Sequence, residues 1–579
     1  MNDADGDPAT FEIIKNGLFK IAEEMRVVLA KTAYSPLLKS AGDYSCGIFD
    51  AGGEMVAQGP DLPIHLGSMP DAVRAVVAAF AADVQEGDVF VHNDPYCGGS
   101  HLPDVNVVRP AFHAGRLLGY ACLRAHWPDV GSATPGSYGA VTEIFGEGLR
   151  IPPLRLFSRG ALNADLEKLI LANVRTPDER KGDLGAQLAA TLRATGRLEG
   201  LARRHGSERL VAAMTQVMDY SERLMRATLL DLPDGEGAFE DYCDGDGIAD
   251  DPSGADAPFW IRMSVKKAAD KLIVDFAGTD AQVKGPMNAP LSVTASGVYC
   301  GLKTAIDPHN LIPANSGCWR AVEIRARKGS VVNAEFPAPV VYANHEMSHR
   351  VADMVMGALA NFLPDQVMAC SQGTSAILTL GGIDPRSGQP YVSYETVKGG
   401  FGARPNKDGI NAIASGISNT MNTPVEVLET AFPVRIERYE VNADSGGAGR
   451  YRGGCGVKRV WRLLGIANAT GAVCMERMTS PPFGLFGGNA GAAAVVKLTM
   501  PDGSSRRLPG KGAFAAPAGS LIEMITPGSG GFGPAGERDP VAVGRDLLDG
   551  YVSAASAADH YGISDPEAAR KAAAAEDAH

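Results

Sequence analysis

A chain of 579 residues with 45% hydrophobic and 21% charged side chains can bury a large core across several structural regions, which excludes an intrinsically disordered polypeptide. Its 54 basic and 67 acidic residues leave a formal charge of −13 with no long block of like charges, and an anionic surface repels phosphate backbones, so nucleic acid is excluded as a partner. No uninterrupted apolar run reaches the roughly 18 residues of a membrane span, and nine scattered cysteines without a CxxC pair point to reduced thiols in a cytoplasm.

Met1–Asp7 is acidic and polar and does not read as a secretory signal. Asp7-Pro8 is a helix start, with Asp7 as N-cap and proline at the first helical position. Phe11, Ile14, Leu18, Ile21, Met25 and Val28 then recur at spacings of three and four, which predicts one long amphipathic helix ending near Tyr34-Ser35-Pro36. Short strands follow at Tyr44–Asp50, Val89–Val91 and Leu117–Leu123. Between the last two, Asn93–Asp104 is dominated by turn formers and reads as a loop on a strand scaffold, where chemistry is often placed.

Residues 163–230 are helical in pattern. Near Leu232-Pro233-Asp234-Gly235 the period switches, and Ile261, Met263 and Val265 alternate with polar neighbours before a hairpin return at Leu272–Phe276. A helix over Arg350–Phe362 has its apolar stretch closed by Asp353 and Asp365, so it reads as buried. From Thr430 the chain is glycine-rich with short strands such as Val434–Val441 and Leu521–Ile525. Pro566–Ala578 is an alanine-rich tail, read as a frayed helix or flexible. The expected architecture is mixed α/β (α+β): a metal-site region at 1–160, a helical region at 161–235, a mixed region at 236–430 and a strand- and glycine-rich region at 431–579.

The strongest chemical constellation is Asp43, His101, Asp104 and His126. His101-Leu102-Pro103-Asp104 brings an imidazole and a carboxylate within one turn of chain, and His126 follows an apolar strand that can return it to the same loop end. Two imidazoles and two carboxylates suit zinc, manganese or iron with room for a water. The same four residues also read as two capping aspartates and two loop histidines. His65 sits in an apolar setting as a core histidine, and His92 reads as a neighbour of the ligands or a surface residue. His345 and His349 have the i,i+4 spacing of a helical metal pair but lack the HExxH arrangement. Cys97 lies in the loop with no paired base. Gly528-Ser529-Gly530-Gly531-Phe532-Gly533 matches GxGxxG but is followed by Pro534 rather than a helix, so the dinucleotide reading fails. No GxxxxGK[ST] loop is present, so ATP would have to bind on another chain or through a different fold.

The motifs Asp43-Tyr44-Ser45-Cys46, Pro63–Met69, Asn93-Asp94-Pro95-Tyr96, Gly98–Asp104, Asn173–Pro177, Ser371–Thr374, Asn422–Glu426, Asp444–Arg450, Gly484–Gly488 and Leu508–Gly512 stand in this order. Together they make the chain resemble the hydantoinase B family nearly end to end. That family includes the hydrolytic subunits of ATP-dependent N-methylhydantoinase, 5-oxoprolinase and caprolactamase, and the corresponding subunits of acetone and acetophenone carboxylases.

The resemblance implies a division of labour. A hydantoinase-A-type ATPase partner, carrying ATP and Mg, would phosphorylate the carbonyl oxygen of a small-molecule substrate, in a hetero-oligomer with two copies of each chain. This chain would complete the reaction at a divalent metal, zinc foremost, held by Asp43, His101, Asp104 and His126, with Asp129 orienting His126. Two departures from the common pattern, Tyr96-Cys97-Gly98-Gly99 for Tyr-His-Gly-Gly and His126-Trp127-Pro128-Asp129 for His-His-Ala-Asp, lie beside that set and bear on substrate. Trp127 is expected to narrow the pocket or form its apolar wall. A cyclic amide is the leading substrate class and a ketone for carboxylation the alternative.

Overall fold

The computed structural model describes residues 8–249, 256–465 and 469–576. Helix α1 (Pro8–Thr32) buries the stripe Ile14, Leu18, Ile21, Met25 and Leu29; its expected N-cap, Asp7, lies outside the described residues. The chain leaves the helix before Pro36, where the Asp183 carboxylate accepts the Tyr34 and Ser35 N–H groups at 2.8 and 3.0 Å. A π-turn over Leu37–Ala41 ends at Gly42, whose φ of 78° lies in the left-handed region that glycine tolerates, and this re-aims the chain into the first strand.

That strand, β1 (Tyr44–Phe49), belongs to a seven-stranded sheet with β2 (Met55–Gln58), β3 (Val89–His92), β4 (Asp104–His113), β5 (Arg116–His126), β6 (Leu154–Ser158) and β7 (Ala161–Leu162). The order is β2-β1-β5-β4-β3-β6-β7. One face packs on α1 and on the helices α4 (Pro177–His205) and α5 (Ser207–Leu230) through Cys46, Ile48, Val89, Val91, Val107 and Leu123. The other buries Phe49, Phe90, Val108 and Tyr120 against Val73 and Val76 of helix α2 (Met69–Phe80). Cover on both faces explains why every residue of Tyr44–Phe49 is buried.

The expected hairpin is present: β9 (Phe259–Ala268) pairs antiparallel with β10 (Lys271–Asp275), Ala268 facing Lys271. With β8 (Gly235–Cys243) and β11 (Val322–Arg325) they form a second sheet. Packed together are α6 (Leu291–Ile306) and α7 (Ala343–Leu359). Neither α2 nor α6 was anticipated, and α7 starts seven residues before the expected Arg350. Its first turns, Asn344, His345, Glu346, Ser348 and His349, are polar yet buried, so the apolar period becomes visible only from Val351.

The C-terminal part is strand-rich. Strands β12 (Ile377–Ile383) and β13 (Pro390–Thr396) join Ala469–Cys474 and Lys511–Ala516 in one sheet, and a five-stranded sheet contains Val434–Val441 and Leu521–Ile525. The glycines of Gly528–Gly533 let backbone meet backbone: a side chain at Gly528 would reach 1.7 Å from the Ser445 carbonyl oxygen. The tail takes the helical one of its two readings, residues 577–578 of the expected stretch lying outside the described residues. Pro566–Glu576 is a helix that buries Ala573 and packs on the helix Pro540–Leu548, because its alanines present a smooth face to Gly544. No helix among the described residues is long and apolar enough to cross a membrane.

Candidate metal centre

Strand register builds the site. Strands β4 and β5 are joined at Ala114-Gly115, both with positive φ (50° and 76°), the backbone of a two-residue type I′ turn. Near that turn Ala111 pairs with Gly119 but Phe112 with Leu117, so Leu118 is an extra residue in β5. Beyond this bulge Asp104, the first residue of β4, stands directly opposite His126, the last of β5. Were Leu118 paired in regular register instead of bulged out, Asp104 would face Ala125 and His126 would turn to the other side of the sheet. Strand β1 adds the third member: Tyr44 pairs with Ala125, and the Asp43 carbonyl accepts the His126 N–H at 3.1 Å. Asp43, His126 and Asp104 thus form one row across three adjacent strands.

His101 enters from the loop. Asn93 clamps that segment, its amide donating to the Leu102 and Leu149 carbonyls at 2.7 and 2.9 Å while its oxygen accepts Ile151 N–H at 2.7 Å. Gly98 (φ 85°) passes so close to helix α2 that a Cβ would lie 2.3 Å from the Asp71 carbonyl oxygen. His101 Nδ1 lies 3.1 Å from the Val341 carbonyl oxygen, a contact that assigns the proton to Nδ1 and turns Nε2 inward. Nε2 is then 3.2 Å from Asp104 Oδ1, and His126 Nδ1 is 3.4 Å from the same oxygen. Two donors bonded to one ion at about 2.1 Å in tetrahedral array are about 3.4 Å apart.

Asp104 divides its two oxygens. Oδ2 takes Ser100 Oγ in a short hydrogen bond, His65 Nε2 at 3.3 Å and the Asn344 amide at 3.4 Å. Among the described residues Oδ1 has no hydrogen-bond partner, and neither ring nitrogen of His126 has one, although all are buried. Buried polar atoms without partners are uncommon in folded proteins. Two of them, Asp104 Oδ1 and His126 Nδ1, converge beside His101 and fit a cation's donor set. Burial would raise the Asp104 carboxyl, but His101 and His65 beside it hold it well below the usual range.

A third imidazole, weighed in the sequence but left out of the expected ligand set, joins this group. His345 from the first turn of α7 lies with its ring centroid 5.0 Å from His101 and 5.7 Å from His126, and one nitrogen of each of the three lies within 4.8 Å of the others. Burial, followed by the proximity of His101 and His126, keeps it neutral. Its Nε2 is 3.3 Å from the Tyr394 hydroxyl, which is 3.2 Å from that of Tyr138, and the Tyr394 ring packs 4.5 Å from His126. The i,i+4 pair was the available signal, but its second member goes elsewhere: His349 is satisfied by Ser375 Oγ at 3.1 Å and Ser415 Oγ at 2.6 Å.

Other expectations need correction. Asp129 does not touch His126; its carboxylate accepts Gly136 N–H, Arg175 N–H and the Arg175 guanidinium at 3.2, 3.0 and 2.8 Å, anchoring the Asn173–Pro177 segment. Trp127 alternates away from His126 into the helical layer, where its indole N–H donates to Gln187 Oε1 at 3.0 Å, so it is not a pocket wall. His65 is buried as expected but also holds Asp104. His92 is fully buried, which removes the surface reading. Burial and neighbouring Asp94 push the Cys97 thiol up, away from a nucleophilic thiolate.

The hydantoinase B/oxoprolinase family model matches residues 7–535. An uncharacterized protein of Methanocaldococcus jannaschii is 36% identical over 96% of both chains. The caprolactamase subunit beta of Pseudomonas jessenii is 32% identical over 96% of each. The crystal structure of that organism's ATP-dependent caprolactamase superposes with a TM-score of 0.89, covering 99% of this chain and 100% of its own. A nucleotide-free acetone carboxylase structure gives a TM-score of 0.90 at 21% identity, covering 99% of this chain and 83% of its own, a likeness of fold.

Proposed function

The chain belongs to the hydantoinase B/oxoprolinase family, and from that premise we propose that it is the metal-holding subunit of a cytoplasmic, ATP-dependent cyclic-amide hydrolase. The observation that carries the reading is the buried set of Asp104 Oδ1, His101 Nε2 and His126 Nδ1, with separations of 3.2 and 3.4 Å and no other partner for the first and last. We assign His101, Asp104 and His126 to the ion, with Asp43 in the same row and His345 facing it. A divalent ion held there, zinc foremost, lowers the pKa of a bound water towards neutrality.

Amides resist water because resonance makes their carbon a poor electrophile, and O-phosphorylation by an ATP- and Mg-binding hydantoinase-A-type partner removes that protection. One water then adds to the activated carbon, the ring C–N bond breaks as nitrogen takes a proton, and an acyl phosphate results. A second water splits it to carboxylate and phosphate. Within this chain Val341 fixes the His101 tautomer and Ser100, His65 and Asn344 aim Asp104. To the phenols of Tyr394 and Tyr138, which neighbour each other and His345, we assign the holding of a proton for the leaving nitrogen.

The test is ring opening of lactams, hydantoins and 5-oxoproline by the chain co-purified with its ATPase partner, followed by mass spectrometry in ¹⁸O water. Incorporation of solvent oxygen that is lost on chelation and regained with metal is expected, and full activity in chelated protein refutes the assignment. Bicarbonate carbon in the product instead favours ketone carboxylation, the alternative for which fold likeness alone speaks.

A further inference from the structure

Deeply buried cations in this protein carry partners that account for them. Arg180 pairs with Asp183 at 2.9 Å, Arg452 with Asp546 at 3.1 Å and Arg459 with Glu395 at 3.1 Å, while Arg350 and Arg477 share Asp241 at 2.9 and 3.0 Å. Arg124 has no carboxylate in that range, but it donates to Asn106 Oδ1, the Ser68 hydroxyl and the Ser68 carbonyl. Lys398 differs. It is 6% exposed, its Nζ donates to Thr396 Oγ1 at 2.8 Å, and among the described residues no carboxylate lies within ion-pair distance. An ammonium has three donors, and a buried charge with one neutral acceptor is costly unless something else meets it.

Its position says what that is. Alternation along β13 puts Tyr394 and Thr396 on one face and Glu395 on the other, where Glu395 meets Arg459. Tyr394 packs on His126 and approaches His345, so this face lines the metal centre. Thr396 shares it and receives the Lys398 ammonium, which brings the cation to the same side. Burial pulls the ammonium down to about 8, and the charges of Asp43 and then Glu395 act against that fall. Asp43 is the neighbour of His126 in the ligand row. In turn Lys398 helps to hold His349, one helical turn beyond His345, in its neutral form after burial has done most of that work. The ammonium on this face is therefore within electrostatic reach of both Asp43 and helix α7, and its one hydrogen bond to Thr396 leaves donors to spare.

We propose that Lys398 is the oxyanion-holding residue beside the metal centre and that it receives the phosphoryl group of the activated substrate. The proposal rests on the hydrolase reading above. A phosphoryl oxygen supplies the acceptors that Thr396 alone does not, and a charge-assisted contact in a water-poor site both anchors the substrate and favours departure of phosphate.

The test is binding of inorganic phosphate, and separately of acetate, to the full-length chain with and without its metal, by calorimetry and ³¹P line broadening. Lys398→Met is expected to weaken phosphate binding about tenfold or more, with metal content and circular dichroism unchanged, while Lys398→Arg retains most of it. Lys398→Gln serves if the methionine variant does not fold. Phosphate binding that is absent from the wild type, or unchanged in a folded Lys398→Met or Lys398→Gln chain, overturns the proposal. So does acetate binding that depends on Lys398 where phosphate binding does not, since the cation would then serve a substrate carboxylate. Lys398-dependent phosphate binding without any ring opening in the reconstituted complex leaves the anion site standing and removes the hydrolase reading. Ring opening by Lys398→Met with wild-type kcat and KM does the reverse.

Discussion

His65 Nε2 lies 3.3 Å from Asp104 Oδ2, while its Nδ1 lies 2.8 Å from Ser45 Oγ. An ionised carboxylate can only accept, so the ring proton sits on Nε2 facing Asp104 and Nδ1 accepts from the Ser45 hydroxyl. Asp104 is thereby held by the oxygen that faces away from His101 and His126, and Oδ1 is kept for them. His65→Ala is expected to lower metal affinity about 10- to 100-fold with the fold retained. Competition titration against a chromogenic chelator measures it, and unchanged affinity would return His65 to a purely structural role.

His101→Ala removes a proposed ligand and leaves the loop clamp at Asn93 intact, because that clamp uses the Leu102, Leu149 and Ile151 backbone. Metal content and turnover should both collapse while association with the proposed ATPase partner survives. Metal analysis and size-exclusion chromatography on the same preparation check this, and retained turnover would favour a scaffold role.

Glu147 sets a pH dependence. Its Oε1 accepts Val340 and Val341 N–H at 2.5 and 2.8 Å, next to the carbonyl that fixes His101, while Oε2 is buried without a partner. Burial raises its pKa from the ordinary 4.5 to about 8, against the pull of the two N–H groups. The folded state therefore keeps a proton that the unfolded state has lost. This contribution is whole below about pH 4.5, declines by at most about 1.4 kcal/mol per pH unit as pH rises, and is gone once pH passes about 8. Glu147→Gln should flatten the stability profile between pH 5 and 8 in urea melts, and an identical slope in both proteins would contradict the assignment.

Trp127 tests the difference between packing and specificity. Trp127→Phe leaves Gln187 Oε1 without its indole donor and should lower stability by about 1–3 kcal/mol. Relative kcat/KM for lactams of different ring size should stay the same, because the ring points into the helical layer. A changed preference would mean that the indole reaches substrate after all.

Much of the scaffold was legible because local signals agreed with the fold. The period of Ile14 to Val28, the turn residues around Asn93–Asp104 and the alternation at Ile261–Val265 each report one element by itself. Helix α7 shows the limit. Its first turns carry site chemistry rather than core chemistry, so polar residues occupy buried positions and mask the helical period where His345 sits. Trp127 and Asp129 mislead for a related reason: neighbours of a ligand in sequence alternate to the opposite face of a strand or leave it altogether.

By itself the sequence determined the residue types able to bind a cation, the secondary structure that carries most of them, and kinship with a family whose members share that order of motifs. Only the tertiary structure decided which donors meet. A single extra residue in β5 sets which side chain stands opposite Asp104, and a helix more than two hundred residues later supplies the third imidazole. Register and long-range packing are set by the summed burial of both sheet faces, and no local stretch of chain contains that sum.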